Sequence, residues 1–344
     1  MFYFIIFLQK SQGGNKDLKK LYIAMFSVIL LAMATVPIIA VKKEPIKAVN
    51  STVKATITQN TEKSEIFANK DKEESFLVYI TDKKQIEKVG LSEYLLGVLS
   101  CEMDESYPPE ALKAQAVAAH TLLLYRKAKN NGKKYDITDS YLTDQGYYTP
   151  EKRLEKYGDE LEKLENKIES AVNQVKNEVI YYNNKPIMAV YHDTSGGKTE
   201  NASDIWGGNY PYLKSVDSIS DMLNPNYLSK VVVSKNEFEK KLKKIVGSLP
   251  KKKAFIGKTT TTSAGTVKKI VIGSKSLSGQ IIRETFNLKS ANFDLKYEDN
   301  KFTFTVRGFG HGVGMSQYGA YYMANKGSNY KRILNWYYKG CTIK

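Results

Sequence analysis

Residues 91–126, LSEYLLGVLSCEMDESYPPEALKAQAVAAHTLLLYR, decide how the rest of this chain is read. The apolar run 91–99 is opened by Ser92 and Glu93 and stops where Glu102, Asp104 and Glu105 cluster. Pro108 and Pro109 then fit the first turn of a second helix, where a missing N–H costs nothing. Ala111, Ala114, Ala116, Ala118 and Ala119 make that helix a strong former with a narrow waist that neighbouring backbone can approach closely. The pattern predicts two packed helices with Glu102 at the connection, beside an apolar wall. Desolvation there raises a carboxyl pKa and suits a general acid. Glu102 also reads as one of several exposed loop acids, and the pattern alone leaves both readings open.

The 344 residues suffice for a large core, and the net charge of +16 points to an acidic partner: nucleic acid, anionic lipid headgroups or an anionic wall polymer. Lysines are scattered along the whole chain, with no phosphate-cradling glycine loop and no zinc-finger spacing, so no nucleic acid is expected. The two cysteines, Cys101 and Cys341, lack metal or redox spacing and read as independent thiols, although a disulfide outside the cytoplasm stays open. Residues 21–41, LYIAMFSVILLAMATVPIIAV, carry no charge and have the length of a membrane span. They read as an uncleaved signal-anchor, with 1–20 as a cytoplasmic segment. Lys19 and Lys20 before the span and Lys42 and Lys43 after it make the charge bias weak. Residues 42–75 are polar, with few aromatics, and read as a flexible stalk; the folded part is 76–344.

Within the folded part, 76–81 reads as a strand, and 86–89 leads into the two helices. Asn130-Asn131-Gly132 stops the second helix, and 135–150 is a polar loop without periodicity. One helix is predicted over 152–176, with Leu154, Tyr157, Leu161, Leu164, Ile168, Ala171 and Val175 on one seam. Strands 179–182 and 187–191 join through Asn183-Asn184-Lys185-Pro186 and deliver His192-Asp193-Thr194-Ser195-Gly196-Gly197. Trp206, Tyr210 and Tyr212 offer flat faces for sugar rings or a lid on a small core. Ser234 with Glu237 caps a helix toward Val246. A strand at 267–272, a helix at 279–288, a hairpin 293–297/302–306 turning at Asp299-Asn300, and a closing helix 329–338 follow. Between the last two lies GFGHGVGMSQYGA (308–320), whose glycines predict a tight loop presenting His311. The fold class is α+β: mixed helices and antiparallel sheet around a cleft, preceded by one N-terminal transmembrane helix.

The three histidines, His120, His192 and His311, have no paired metal-binding spacing, and Ser195 lacks a nucleophile-elbow pattern. No metal and no cofactor are expected. One placed carboxylic acid with polar partners and aromatic platforms suits cleavage of a glycosidic bond by protonation of the leaving oxygen. A two-carboxylate hydrolase would draw its second acid from Asp104, Glu105 or Asp193.

Together CEM…PPEALKAQAVAA, HDTSGGKTENASDIWG and GFGHGVGMSQYGA resemble the stage II sporulation protein D family over about 76–344. The resemblance implies a membrane-anchored lytic transglycosylase whose catalytic domain lies outside the cytoplasm, between mother cell and forespore membranes. It would cleave peptide-stripped peptidoglycan glycan strands, leaving anhydro-muramic ends, during forespore engulfment. A partner amidase and a third membrane-bound engulfment protein are implied as partners. By motif Glu102 would be the catalytic acid, and Lys113, His120, His192, Ser195, Tyr212, His311, Gln317 and Tyr318 the substrate contacts. Two departures stand out. The family usually reads AVAAR where this chain has His120, and a neutral imidazole does not replace a guanidinium fork conservatively. Relatives also carry a Cys and a His in the loop after the second helix that can hold zinc, and 135–150 has neither. The alternative is a non-catalytic glycan-binding scaffold of the engulfment complex.

Overall fold

Alternation in SFLVYI buries Phe76, Val78 and Ile80 on one face of strand β1 (Ser75–Ile80), which pairs antiparallel with β2 (Gln85–Gly90). Helix α1 (Leu91–Glu102) starts directly at the end of β2 and buries residues on nearly every side, the mark of a core helix. Helix α2 (Pro109–Lys129) opens on Pro109, as the sequence predicts, and packs its alanine-rich waist against α1. These elements belong to the computed structural model, which describes residues 73–103, 106–247 and 256–344, all within one compact unit, Ala68–Lys344. The proposed anchor, the segment before it, most of the stalk, and Asp104 and Glu105 lie outside the described residues. Among the described residues no helix is long and apolar enough to cross a membrane.

After β3 (Ile137–Thr138), which runs parallel to β1, the single helix expected over 152–176 is two helices, α3 (Pro150–Tyr157) and α4 (Leu161–Val175). Gly158, at φ +50°, and a short 3-10 turn separate them. The buried seam therefore survives only in α4, through Leu164, Ile168, Ala171 and Val175, while Leu154 is exposed. The hairpin β4 (Ile180–Tyr182) and β5 (Lys185–Pro186) turns at Asn183-Asn184, both with positive φ, as a two-residue primed turn requires. The second predicted strand, 187–191, is reduced to β6 (Tyr191–His192).

A short helix α5 (Ala202–Ile205) precedes the smaller lobe: β7 (Leu228–Ser234), α6 (Lys235–Val246), β8 (Ile256–Thr261), β9 (Val267–Ile272), β10 (Lys275–Leu277), α7 (Gly279–Phe286), β11 (Phe293–Glu298) and β12 (Lys301–Arg307). Its separate core stacks Phe238 on Phe302 at 3.7 Å, with Phe286 and Phe304 beside them. The Ser234 cap on the Glu237 N–H (3.2 Å) and the Asp299-Asn300 turn are where the sequence puts them. The chain then returns to the larger core through β13 (Met315–Ser316), α8 (Gln317–Asn325), α9 (Tyr330–Tyr337) and β14 (Thr342–Ile343). The class is α+β, but instead of one antiparallel sheet the described residues form several small ones, with β1–β3 and β6–β13 parallel.

Candidate active site

Glu102 is the last residue of α1 rather than part of a free connection, so its side chain leaves a rigid, buried helix end. The 139–149 loop crosses that helix end at very short range. Tyr148 N–H donates to the Gly97 carbonyl (3.1 Å), and Tyr147 stacks on Tyr94. A Cβ at Gly97 would lie 2.3 Å from the Tyr147 ring, so only glycine admits the loop. Two residues earlier, Gly146 N–H donates to Glu102 Oε1 (2.8 Å). Gln145, fully buried, donates from Nε2 to the Tyr94 hydroxyl (2.7 Å) and the Ala119 carbonyl (3.2 Å), and accepts from the Tyr191 hydroxyl (2.7 Å). That one carboxamide ties α1, α2 and β6 together. Buried Arg153 closes the far end of the loop, bonding both Glu93 oxygens, Glu165 and the Tyr148 carbonyl. Neither Gln145 nor Gly146 is singled out by the sequence, because the loop has no periodicity and its partners are remote.

The opposite wall comes from the two glycine-containing motifs. Tyr318 N–H donates to the Asp193 carbonyl (3.0 Å), and Ser316 caps α8 through the Gly319 N–H (3.1 Å). This sets Gln317, buried, beside Glu102. Burial pushes the Glu102 pKa above the ordinary carboxyl value; the Gly146 N–H and the Gln317 amide pull it down, and the Asp193 charge pushes it up again. Apart from Glu102, the buried Gln317 Nε2 has no hydrogen-bond partner among the described residues.

The alternating glycines of 308–314 have a different role from the one expected. Gly308, Gly310, Gly312 and Gly314 all have positive φ, and the loop lies directly on the 190–200 segment through the Thr194–Phe309 and Glu200–Val313 bridges. A Cβ at Gly314 would fall 2.0 Å from the Val190 carbonyl. Close backbone approach, and not display of His311, accounts for the glycines. The His311 ring is 5.8 Å from His192 and edge-on to Trp206. His192 Nδ1 faces the Val313 carbonyl and so carries the proton, whereas His311 Nδ1 accepts from Val313 N–H. Both rings are neutral; burial lowers His192 to about 4 and His311 to about 3. Tyr191 and His192 are successive strand residues and project to opposite faces, Tyr191 toward Gln145 and Glu102.

The structure gathers Glu102, Gln317, Tyr318 and Asp193 and sets several other expected contacts apart. Lys113 is committed to Glu110, the Gln174 amide and the Tyr330 ring. His120 is buried in α2 against the 176–178 backbone, with burial lowering its pKa. Ser195 is 1 % exposed and donates its N–H to buried Asp221 (2.7 Å). Tyr212 is buried, its hydroxyl accepting from Met188 N–H. Of the aromatic platform only Trp206 stands in solvent, 46 % exposed. Cys101 and Cys341 are both free thiols.

The zinc site of the family does not fit these residues. The 135–150 loop beside Glu102 offers Gln145, Gly146 and tyrosines, with neither a Cys nor a His to ligate zinc. Among the described residues no group of three or more His, Cys, Asp or Glu is placed to hold an ion.

A family model described as "Stage II sporulation protein" matches residues 79–182, which hold Glu102, Gln145 and Gly146. The chain is similar to stage II sporulation protein D of Bacillus subtilis (strain 168), 39% identical over 274 residues, 78% of each chain. It is also similar to the protein of that name from Bacillus amyloliquefaciens, 38% identical over 270 residues, 77% of each chain. A more distant relative is the amidase enhancer of Bacillus subtilis (strain 168), 27% identical over 303 residues, 72% of this chain and 40% of that protein.

Proposed function

The chain belongs to the stage II sporulation protein D family, and from that premise we propose that it is a lytic transglycosylase acting on peptide-stripped glycan strands of peptidoglycan during forespore engulfment. The observation that carries this reading is Glu102: a carboxyl at a rigid helix end, with its pKa raised by burial and one oxygen fixed by the Gly146 N–H. Protonated Glu102 donates to the bridging glycosidic oxygen. The C1–O bond breaks, its electron pair stays on the departing oxygen, and positive charge develops at C1 of the muramoyl residue. The residue's own C6 hydroxyl then adds to C1 and returns its proton to Glu102. No water is consumed, so the product carries an anhydro end and one carboxyl serves as both acid and base. Gln317, beside Glu102, holds the sugar at the cleavage point.

The same reading includes an anchor at 21–41, a stalk at 42–75 and a catalytic domain outside the cytoplasm, with an amidase and a third membrane-bound engulfment protein as partners. The +16 charge suits an anionic wall, and a relative named as an amidase enhancer suits an amidase partner. A second reading, a glycan-binding scaffold without cleavage, is favoured by His120, buried and neutral where the family carries a permanent cation.

The test is mass spectrometry of products after the full-length chain, wild type or Glu102→Gln, meets amidase-denuded strands. Anhydro-ended fragments from wild type, falling by about 10²–10⁴-fold in the variant, support the transglycosylase. Reducing ends would mean a hydrolase, and intact bound strands a scaffold.

A further inference from the structure

An aromatic surface that the cleavage step leaves unused borders the acid. Gln317 and Tyr321 stand at i and i+4 on α8 and share one helix face, and the Gln317 amide bonds Glu102. Tyr318, three residues before Tyr321, brings its ring centroid to 5.4 Å from that of Tyr321. On its other side Tyr321 meets Tyr107, with centroids 5.0 Å apart and the planes tilted by 47°. Tyr107 lies in the connection that leaves α1 at Glu102 and ends at Pro108, the cap of α2. The three-ring strip is therefore tied to the acid at both ends, through Gln317 and through the α1–α2 connection. Its backbone is fixed as well, since Tyr318 N–H donates to the Asp193 carbonyl (3.0 Å). All three tyrosines are half-buried, whereas Gln317, Gly319 and Ala320 of the same helix are buried.

We propose that Tyr107, Tyr321 and Tyr318 form a stacking strip for the pyranose rings of the glycan strand that flank the bond Glu102 cleaves. The inference rests on the transglycosylase reading and deepens it: Glu102 and Gln317 act at one linkage, and the strip holds the sugars leading away from it. In a β-1,4-linked aminosugar chain the ring substituents are equatorial, so each ring face is a patch of C–H groups. Those groups carry slight positive charge and fit the negative face of a tyrosine ring, while hydroxyl and acetamido groups at the sugar edge meet the phenol oxygens. A tyrosine has only two side-chain torsions to order, so such a platform binds at low entropic cost. A row of rings also matches a polymer of repeating rings better than it matches a compact ligand. The platform expected from the sequence does not compete for this role beside Glu102. Tyr212 is buried with its hydroxyl on Met188 N–H, Tyr210 packs edge-on against it, and Trp206 stands against His311.

Binding is measured on the full-length Glu102→Gln chain, with N-acetylglucosamine oligomers from the disaccharide upward as probes. Tyr321→Leu and Tyr107→Leu keep an apolar side chain and remove the flat face. Each should weaken the longest oligomers about tenfold and the disaccharide, too short to span the strip, by less than about twofold. Tyr321→Phe keeps the face and should stay within about twofold of the parent chain at every length. With Glu102 in place, the Leu variants should raise KM for amidase-denuded strands about tenfold while kcat falls far less. Leu variants that bind every oligomer as tightly as the parent overturn the proposal. A loss equal at all lengths overturns it too, because it marks damage to the packing of α8 and not a lost sugar contact. So does a loss in Tyr321→Phe as large as in Tyr321→Leu, which would make the hydroxyl the contact and not the face. Tyr107 and Tyr321 lie on separate segments, so either position alone decides the question. Undiminished cleavage by Glu102→Gln would displace the acid and with it the transglycosylase reading, while the length dependence of binding would still judge the strip.

Discussion

Gly146→Ala would separate the placing of the acid from the stability of the fold. A Cβ at Gly146 would lie 2.8 Å from Glu102 Oε1 and 2.6 Å from Cys101 Sγ. Both are ends of side chains, and Gly146 has an ordinary φ, so the helix and loop backbones need not move. Relieving such an overlap costs about 1 kcal/mol, which for a chain of this size lowers Tm by about 2–4 °C. The Glu102 carboxylate, however, must swing off the Gly146 N–H. That bond favours the ionised form and holds the Glu102 pKa down. Losing it raises the Glu102 pKa, so the descending limb of the pH–rate profile should shift upward, opposite in direction to the shift that Asp193→Asn would bring by removing a charge that raises the same pKa. Displacement of the acid by about 1 Å should lower kcat by about 10²-fold. The assay is release of anhydro-ended fragments from denuded strands across pH, with calorimetry on the same samples. Wild-type kcat with an unmoved limb would refute the role given to the Gly146 contact.

Tyr191→Phe removes the hydroxyl that Gln145 Oε1 accepts and leaves a buried acceptor without a partner, so urea unfolding should show a loss of about 1–3 kcal/mol. Gly314→Ala meets both a positive φ and the Val190 carbonyl, which should cost about 3 kcal/mol or more and lower the denaturation midpoint clearly. His192 is depressed from 6.5 to about 4, so its contribution to stability is complete above pH 6.5 and lost as pH falls toward 4. Asp221 is raised from 3.8 to about 6 by burial, so its contribution is complete below 3.8 and lost as pH rises through 6. The two slopes oppose between pH 4 and 6, and Asp221→Asn should make Tm fall more steeply on acidification across that window than in wild type; an unchanged slope would be evidence against the buried ionisation of Asp221.

What the sequence made legible were elements whose signals are local. The α1–α2 pair follows from an apolar run, a proline pair and an alanine run; the Asp299-Asn300 and Asn183-Asn184 turns follow from residues that tolerate positive φ. Ser234 and Asn329 cap helices through their own neighbours. Gly158 is a counter-example: the heptad seam runs through it, yet the chain breaks there, because a seam specifies what can be buried and not that a neighbour is present to bury it. Strands β6 and β13 are two residues each and owe their existence to remote backbone pairing, which leaves no period to read. The motif singles out Glu102 as the candidate acid, but its fixing by Gly146 joins residues 44 positions apart. Tyr212, His120 and Ser195 read as contacts in a linear motif and are buried in the structure, since a motif records proximity in the chain and burial records proximity in space.

The arrangement around Glu102 also bears on why a single acid could suffice. In the proposed reaction the same carboxyl must release a proton to the departing oxygen and then take one back from the C6 hydroxyl, so neither protonation state can be strongly preferred. A carboxyl in an apolar corner alone would be held protonated; one facing several N–H donors alone would be held ionised. Here burial and the Asp193 charge push one way, and the Gly146 N–H and the Gln317 amide push the other. These influences come from four separate parts of the chain: the helix end, the crossing loop, the strand exit and the start of α8. Each can be altered by one substitution that leaves the others standing. Opposite displacements of the pH limb in Gly146→Ala and Asp193→Asn would therefore report the balance itself, which a stability measurement on either variant alone could not do.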